Sequence, residues 1–481
     1  MSEEVARPVE IVDASETGLA NRVLGTWHVM AESIGMIGPS LSAAALIPLI
    51  FLTAGGAGWL TCAVGTVGML AVAVIINEFS KRHVSTGALY TLIPKGLGPP
   101  GGLLAAGGFV LIALAGQIIS VFGFGIAFAQ FLNSAFSIGS SSRVEVVIIS
   151  LLGLLLATYV VLRGIRLSTS LLLLLEGASV VAITTLLLIV LAKHGHIFDS
   201  SQLELRGATV HGVLVGMTFI ILSLGGFESA TALGVEAKEP RKAIPIALFG
   251  AVAFSGLFFV CNAYIQVLGF EGTGIKIASQ AIPLGTLAIH YRVSWLGDIV
   301  LLGVSLSWFS VLCAWLNYAP RPLVAMADEG VIPKWFGRVH KKTGAPNAAI
   351  YFWATAYLVI SLYIAFANVS LTQAFGNIGA LAGYGYTLMY LLMALAAIAY
   401  GFRHGVKKAW YWLAAVVAGG VMILVYWYSF VPMPASPVDL FVYSFLVYVG
   451  LLLVCCVVAW LRAPNWLRRM GTLEEKESSV S

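Results

Sequence analysis

Three carboxylates, Glu32, Glu176 and Glu228, lie inside long apolar stretches of this 481-residue chain. A charged side chain in hydrocarbon costs about 3 kcal/mol or more unless it is paired or meets water. Each of the three therefore marks a place for proton exchange or for a polar partner. Two of them stand beside an interruption of the backbone pattern. Ser33-Ile34-Gly35-Met36-Ile37-Gly38-Pro39-Ser40 follows Glu32, and Ser223-Leu224-Gly225-Gly226-Phe227-Glu228-Ser229 contains Glu228. Paired glycines and a proline without an N–H break a helix there. A half-helix that starts at such a break presents N–H donors and a positive dipole end to an anion, and one that ends there presents carbonyls to a cation.

The first break offers N–H groups around Gly35, Gly38 and Ser40, among Ile34, Met36 and Ile37. The second offers carbonyls around Leu222, Leu224 and Gly225, beside Gly226 and Phe227. Both kinds of backbone group in one cavity fit an α-amino acid. For Glu228 the readings are a proton or gate site beside the unwound backbone, or a structural carboxylate accepting the freed N–H groups. Glu32 either attracts an amino group or faces a wet vestibule. Glu176 either titrates or is satisfied by a neighbouring Ser or Thr. His28 reads as interfacial. The five cysteines sit in apolar sequence without CxxC spacing and read as small buried hydrophobes, so no metal site is expected.

The elements that must position these groups are membrane helices. Hydrophobic residues make up 59% of the chain and charged residues 10%, against roughly 25% charged in a soluble domain. That excludes a soluble enzyme, a nucleic-acid binder and a disordered scaffold. Stretches long enough to cross hydrocarbon fall at 22–52, 57–79, 103–132, 144–162, 167–192, 210–236, 244–269, 296–327, 347–367, 372–400, 409–430 and 438–461. The acidic first 20 residues have no apolar core and are not a cleavable signal peptide. With the N-terminus inside, only Arg143, Lys193, Arg206, Lys276 and Arg292 of the 27 Lys and Arg fall outside. The positive-inside rule then sets both termini in the cytoplasm.

The interrupted spans are the first and the sixth, where two five-helix repeats of opposite topology place equivalent helices. Such paired interruptions point to a transporter's substrate site; the alternative for any one of them is glycine serving close helix packing. The chain divides accordingly into a cytoplasmic tail 1–20, a first repeat 21–192, a second repeat 210–400, two further spans within 409–461, and a cytoplasmic tail 462–481.

Specific motifs agree. Gly226-Phe227-Glu228-Ser229-Ala230, followed by Glu236-Ala237-Lys238-Glu239-Pro240-Arg241-Lys242-Ala243-Ile244-Pro245, resembles the "GFES…E…NPRRxIP" segment of the amino acid/polyamine/organocation (APC) superfamily. Gly87-Ala88-Leu89-Tyr90 through Gly98-Pro99 resembles its "GGxYxxxxxxxGP". Asn317-Tyr318-Ala319-Pro320-Arg321, Met326-Ala327-Asp328-Glu329-Gly330, Pro333 and Thr343-Gly344-Ala345-Pro346 resemble its "SR…MARDGxxP…xTxxP" loop.

The resemblance implies an all-α integral membrane fold of 12 transmembrane helices: a LeuT-like 5+5 inverted repeat with helices 1 and 6 broken, plus two C-terminal helices. It also implies alternating access and a substrate at the two breaks. The chain departs from the family in three places. The usual "IGxGI" stands as Ile34-Gly35-Met36-Ile37-Gly38-Pro39. Some proton-coupled relatives carry a lysine fifteen residues after the glycine matching Gly164, and Ser179 stands there. Coupling then falls to Glu176, to Glu228, or to Na+ held by Ser and Thr oxygens. Relatives' aromatic gate is Leu222 here, leaving Phe227 and Trp308 as substitute lids or ordinary packing. Arg321 is expected to orient the chain or to pair with Asp328 as an intracellular gate.

The sequence thus reads as a secondary transporter (permease) of amino acids in the plasma (inner) membrane, ion-coupled or exchanging. It needs no cofactor beyond a coupling H+ or Na+. Its partners are a small-molecule substrate and the lipid bilayer, not nucleic acid, and it is a monomer or weak homo-oligomer. The alternatives are an amine or polyamine importer of the same superfamily, a polytopic membrane enzyme, for which no HExxH or GxSxG is present, and a channel.

Overall fold

A backbone in hydrocarbon has no water to bond, so each crossing segment must close its hydrogen bonds internally, as a helix does. The computed structural model describes residues 19, 22–139, 142–275, 277, 283–367, 370–433 and 438–471. Of the expected tails 1–20 and 462–481, residues 1–18, 20 and 472–481 lie outside the described residues, as does Lys276. In chain order the helices are α1 Thr26–Ile37, α2 Pro39–Ala45, α3 Ile47–Ala54, α4 Gly58–Ser80, α5 Leu89–Phe136, α6 Arg143–Leu162 and α7 Ile165–His194. Then come α8 Ser200–Leu203, α9 Val210–Leu224, α10 Ser229–Ala232, α11 Pro240–Phe270, α12 Pro283–His290, α13 Ser294–Tyr318 and α14 Pro320–Asp328. The last are α15 Asn347–Phe366, α16 Leu371–Arg403, α17 Ala409–Phe430, α18 Val438–Arg462 and α19 Pro464–Leu467.

Among the described residues, 11 helices or helix runs are long and apolar enough to cross a membrane. The stretch 22–52 is absent from that count because its helices are short: Gly38 divides it into α1 and α2, and α3 ends where Gly55 takes φ 56° and ψ −135°, ahead of α4. Gly38 takes a left-handed conformation (φ 56°) that ends α1, and Pro39 starts α2 at the one position where a missing N–H costs nothing. The sixth span divides in the same manner: α9 ends at Leu224, Gly225 is extended, Gly226 has φ 91°, and α10 resumes at Ser229. The two breaks touch. A Cβ on Gly226 would sit 2.2 Å from Met36 Cγ, so only glycine lets them meet.

Around this broken pair stand α5, α7, α11, α13 and α16, with α17 and α18 on the periphery. Two expectations are corrected. The segment ahead of the third span is helical from Leu89, kinked at Gly98 where Pro99 and Pro100 follow. Cys261 and Cys455 are exposed on outward helix faces, whereas Cys62, Cys313 and Cys456 are buried; an apolar stretch faces lipid as readily as protein, so apolar context alone does not bury a thiol.

An isolated parallel bridge joins Leu24, ahead of α1, to Ala237, beyond α10. The Leu24 N–H donates to the Glu236 carbonyl (3.0 Å) and the Lys238 N–H to that of Leu24 (2.9 Å). The chain's end packs against the 329–338 loop, where Trp466 Nε1 donates to the Val331 carbonyl at 3.0 Å. Among the described glycines the closest approach to another segment's backbone is between α5 and α16, where a Cβ on Gly96 would meet the Ala396 carbonyl oxygen at 2.0 Å. Gly96→Ala should therefore force the helices apart at a cost of about 1–3 kcal/mol. Its melting temperature by fluorescence-detected size exclusion should fall, and an unchanged value would mean this contact is not tight.

Candidate functional site

Gly225 and Gly226 free backbone groups that helix geometry cannot satisfy, and side chains from three other spans come in to meet them. The Gly226 N–H donates to the Tyr390 hydroxyl (3.2 Å), which itself donates to Glu228 Oε2 (2.8 Å). The Tyr318 hydroxyl donates to Glu228 Oε1 at 3.4 Å. From α1, Ser33 Oγ donates to the Phe227 carbonyl at 2.6 Å. Glu228 is fully buried, and its carboxylate pins the break to α13 and α16. Phe227 is buried as well, its ring 5.8 Å from that of Tyr390.

The start of α2 is handled differently. Pro39 has no N–H, the Ser40 N–H donates to Glu176 Oε1 (2.8 Å), and the Leu41 N–H donates to Ser307 Oγ (3.2 Å). A carboxylate at a helix N-terminus is the pairing that the dipole favours, and here the protein supplies that carboxylate from α7. Glu176 Oε2 is buried with no hydrogen-bond partner among the described residues. One turn further along α7, Ser179 Oγ contacts the Leu175 and Gly303 carbonyls, each at 2.7 Å, joining α7 to α13.

Between the breaks lies a cavity of about 40 Å³, room for a few water molecules. Met36, Ile37, Leu222 and Gly225 line it together with Trp308, Trp315 and Tyr386. Of the remaining residues singled out in the sequence, Ile34, Gly35, Gly38, Ser40, Leu224, Gly226 and Phe227 stand behind this lining, as do the carboxylates and Ser179. Sequence reasoning missed Tyr318, Tyr386, Tyr390, Trp315 and Ser307. A signal existed for two of them: Tyr386 and Tyr390 lie four apart in α16, on one face of the helix.

Toward the end of the bundle marked by Leu24, polar groups close the structure. Asn317 Nδ2 lies 2.9 Å from Glu32 Oε2 and 3.0 Å from Ser168 Oγ, joining α1, α7 and α13. Arg321 holds Glu236 with two bonds, Nε to Oε2 at 2.7 Å and a second guanidinium N–H to Oε1 at 3.0 Å, and it also donates to the Asn317 carbonyl. The expected pairing of Arg321 with Asp328 is thereby corrected. Asp328 stands two turns, about 10 Å, further along α14 and is exposed, whereas Glu236 is buried beside the guanidinium. The neighbouring Glu329 accepts from the Tyr90 hydroxyl.

Comparison with known proteins places this geometry in context. The sequence model described as "Amino acid permease" matches residues 24–467. An uncharacterized transporter of Mycobacterium tuberculosis is 26% identical over 80% of this chain and 81% of its own length. An arginine/ornithine antiporter of Latilactobacillus sakei is 24% identical over 71% of each. A branched-chain amino acid permease of Lactococcus lactis is 26% identical over 46% of this chain and 48% of its own. Among solved structures, MhsT in complex with L-phenylalanine shares the fold, with a TM-score of 0.59 and 11% identity over 85% of this chain and 99% of that one.

The Arg321–Glu236 pair generates a stability prediction. Arg321→Met leaves a buried carboxylate unpaired and should cost about 3–5 kcal/mol, while Arg321→Met with Glu236→Leu should recover much of it. Thermal unfolding of purified variants checks this. A single variant as stable as the parent would mean that water reaches Glu236.

Proposed function

We propose, on the premise that this chain belongs to the amino acid permease family, that it is a secondary carrier moving a neutral α-amino acid across the plasma membrane by alternating access, with both termini cytoplasmic. One observation carries this reading: two helix breaks meet at a single cavity, lined by Leu222 and Gly225 at the carbonyl end of α9 and by Leu41 and Ser42 in the first turn of α2. The last-turn carbonyls of α9 suit the substrate's ammonium, and Leu222 and Gly225 already face the cavity. The lining carries no charged side chain, so an apolar substrate side chain against Trp308, Trp315 and Tyr386 leaves no charge unpaired.

Glu176 then supplies the coupling. Its carboxylate occupies the donor that a substrate carboxylate needs. Two anions cannot share one N–H, so the substrate gains Ser40 as Glu176 takes up a proton and withdraws. Binding and proton uptake are linked with a definite sign: affinity rises as pH falls, and it is lost as pH rises and Glu176 reclaims the donor. The ionisable groups on the elements packed against α7 stand apart from Glu176. Asn317 holds Glu32 on α1, and Asp298, Arg241, Lys242, Arg143, Glu145 and His290 lie at or near helix ends. His28 is near the start of α1, and Cys313 and Tyr318 lie toward the far end of α13.

A second reading has its own observation. Because Glu176 already fills the helix N-terminus, an amine lacking a carboxylate would also fit, as the superfamily resemblance allows.

Purified protein in liposomes, assayed for uptake of labelled neutral amino acids with and without imposed proton and sodium gradients, tests both. An inward proton gradient should drive accumulation. Glu176→Gln should bind substrate with little pH dependence and lose proton-driven accumulation. Proton-driven accumulation that persists in Glu176→Gln would remove Glu176 from coupling. A labelled diamine that amino acids fail to displace would replace the first substrate class by the second.

A further inference from the structure

We propose that His194, His196 and Glu271 form a binding site for a transition-metal dication, best matched by Zn2+, at the end of the bundle opposite Leu24. There the ion would tie the end of α7 to the end of α11. This site is separate from the substrate cavity and does not depend on which substrate is carried.

The sequence builds it in a short space. His194 is the last residue of α7, Gly195 follows with φ 92°, and the turn brings His196 back so that the two imidazole rings lie 4.5 Å apart. Glu271 is the first residue beyond α11. Its Oε2 lies 3.5 Å from His194 Nε2 and 3.8 Å from His196 Nε2, and all three donor atoms fall within 4.8 Å of one another. Zinc bonds of about 2.0–2.1 Å to nitrogen and oxygen give a tetrahedral edge of about 3.3 Å. The site must contract, and the two side chains that would move are the half-exposed ones, His196 and Glu271 at 53% and 49%.

His194 is the fixed member, with a side chain only 10% exposed. Its tautomer follows from its neighbours. The Tyr291 hydroxyl donates to the Gly269 carbonyl at 3.3 Å, so the phenolic oxygen accepts from His194 Nδ1, 2.9 Å away. With the proton on Nδ1, Nε2 presents a lone pair. That atom is buried with no hydrogen-bond partner among the described residues, and it faces a carboxylate oxygen. Two acceptors aimed at each other are reconciled by a proton or a metal ion between them, and the approach of His196 Nε2 to the same carboxylate oxygen favours the metal. A second hydrogen bond that fixes ring and tautomer is the usual support of a metal-binding histidine. Lys193, the nearest cation in sequence, is held at the Tyr291 carbonyl (2.6 Å).

Two imidazoles and one carboxylate, without thiolates, suit Zn2+ rather than the all-oxygen cations Ca2+ and Mg2+. The exposed side leaves a fourth position for water. His194 lies 18 residues beyond Glu176 on the same helix, about 27 Å along its axis, so a metal here would restrain the far end of the helix that carries the coupling carboxylate.

The test is calorimetric titration of the purified full chain in nanodiscs with ZnCl2 after chelator treatment, with MgCl2 as control. Zinc should bind one to one at micromolar concentrations and magnesium should not. His196→Asn, which alters an exposed side chain, should weaken binding at least tenfold, and Glu271→Gln likewise. Tyr291→Phe, which frees the His194 tautomer, should weaken it about tenfold. Zinc affinity unchanged in His196→Asn and Glu271→Gln would overturn the proposal. So would a parent protein that binds no zinc.

Discussion

Backbone polar groups freed inside an apolar bundle must each find a partner, and much of this structure follows from how the two helix breaks meet that demand. At the α9–α10 break the freed groups are taken by Tyr390 and Ser33, and Tyr390 passes the connection on to Glu228. At the α1–α2 break they are taken by Glu176 and Ser307. Every one of these partners comes from a different span. The breaks therefore hold the bundle together as well as hollowing it.

The two breaks are not equivalent in sign. A carboxylate already sits at the positive end of α2, whereas the carbonyl end of α9 borders the cavity. Pro39 sharpens the asymmetry by removing one donor from the first turn of α2, which leaves the Ser40 and Leu41 N–H groups, both engaged. The charged group at this helix end is therefore one of the protein's own, while the cavity lining itself carries no charged side chain.

The bundle is closed unequally along its length. At the Leu24 end a backbone bridge, the Arg321–Glu236 pair and the Glu32–Asn317–Ser168 cluster seal the structure, each with at least one member, Leu24, Glu236 or Glu32, from a segment adjoining a break. The cavity beside the breaks has a volume of about 40 Å³. Trp308 and Trp315, which line it, lie against Gly123 and Gly116 of α5, where a Cβ would meet their rings at 2.5 Å or less.

By itself the sequence determined the membrane class, the helical spans and the two breaks. These follow from local chemistry: apolar length, paired glycines, a proline without a donor. It also picked out Glu32, Glu176 and Glu228, because a carboxylate in an apolar stretch is conspicuous. It did not determine what each carboxylate touches. Arg321 with Glu236 in place of Asp328, the tyrosines that hold Glu228, and the outward-facing Cys261 and Cys455 all depend on which helix faces meet. Only the tertiary structure decided that Glu176 would cap α2, since the two residues lie 136 positions apart and neither flanking sequence carries a trace of the other. Helix periodicity says which side chains share a face; only packing says what that face meets.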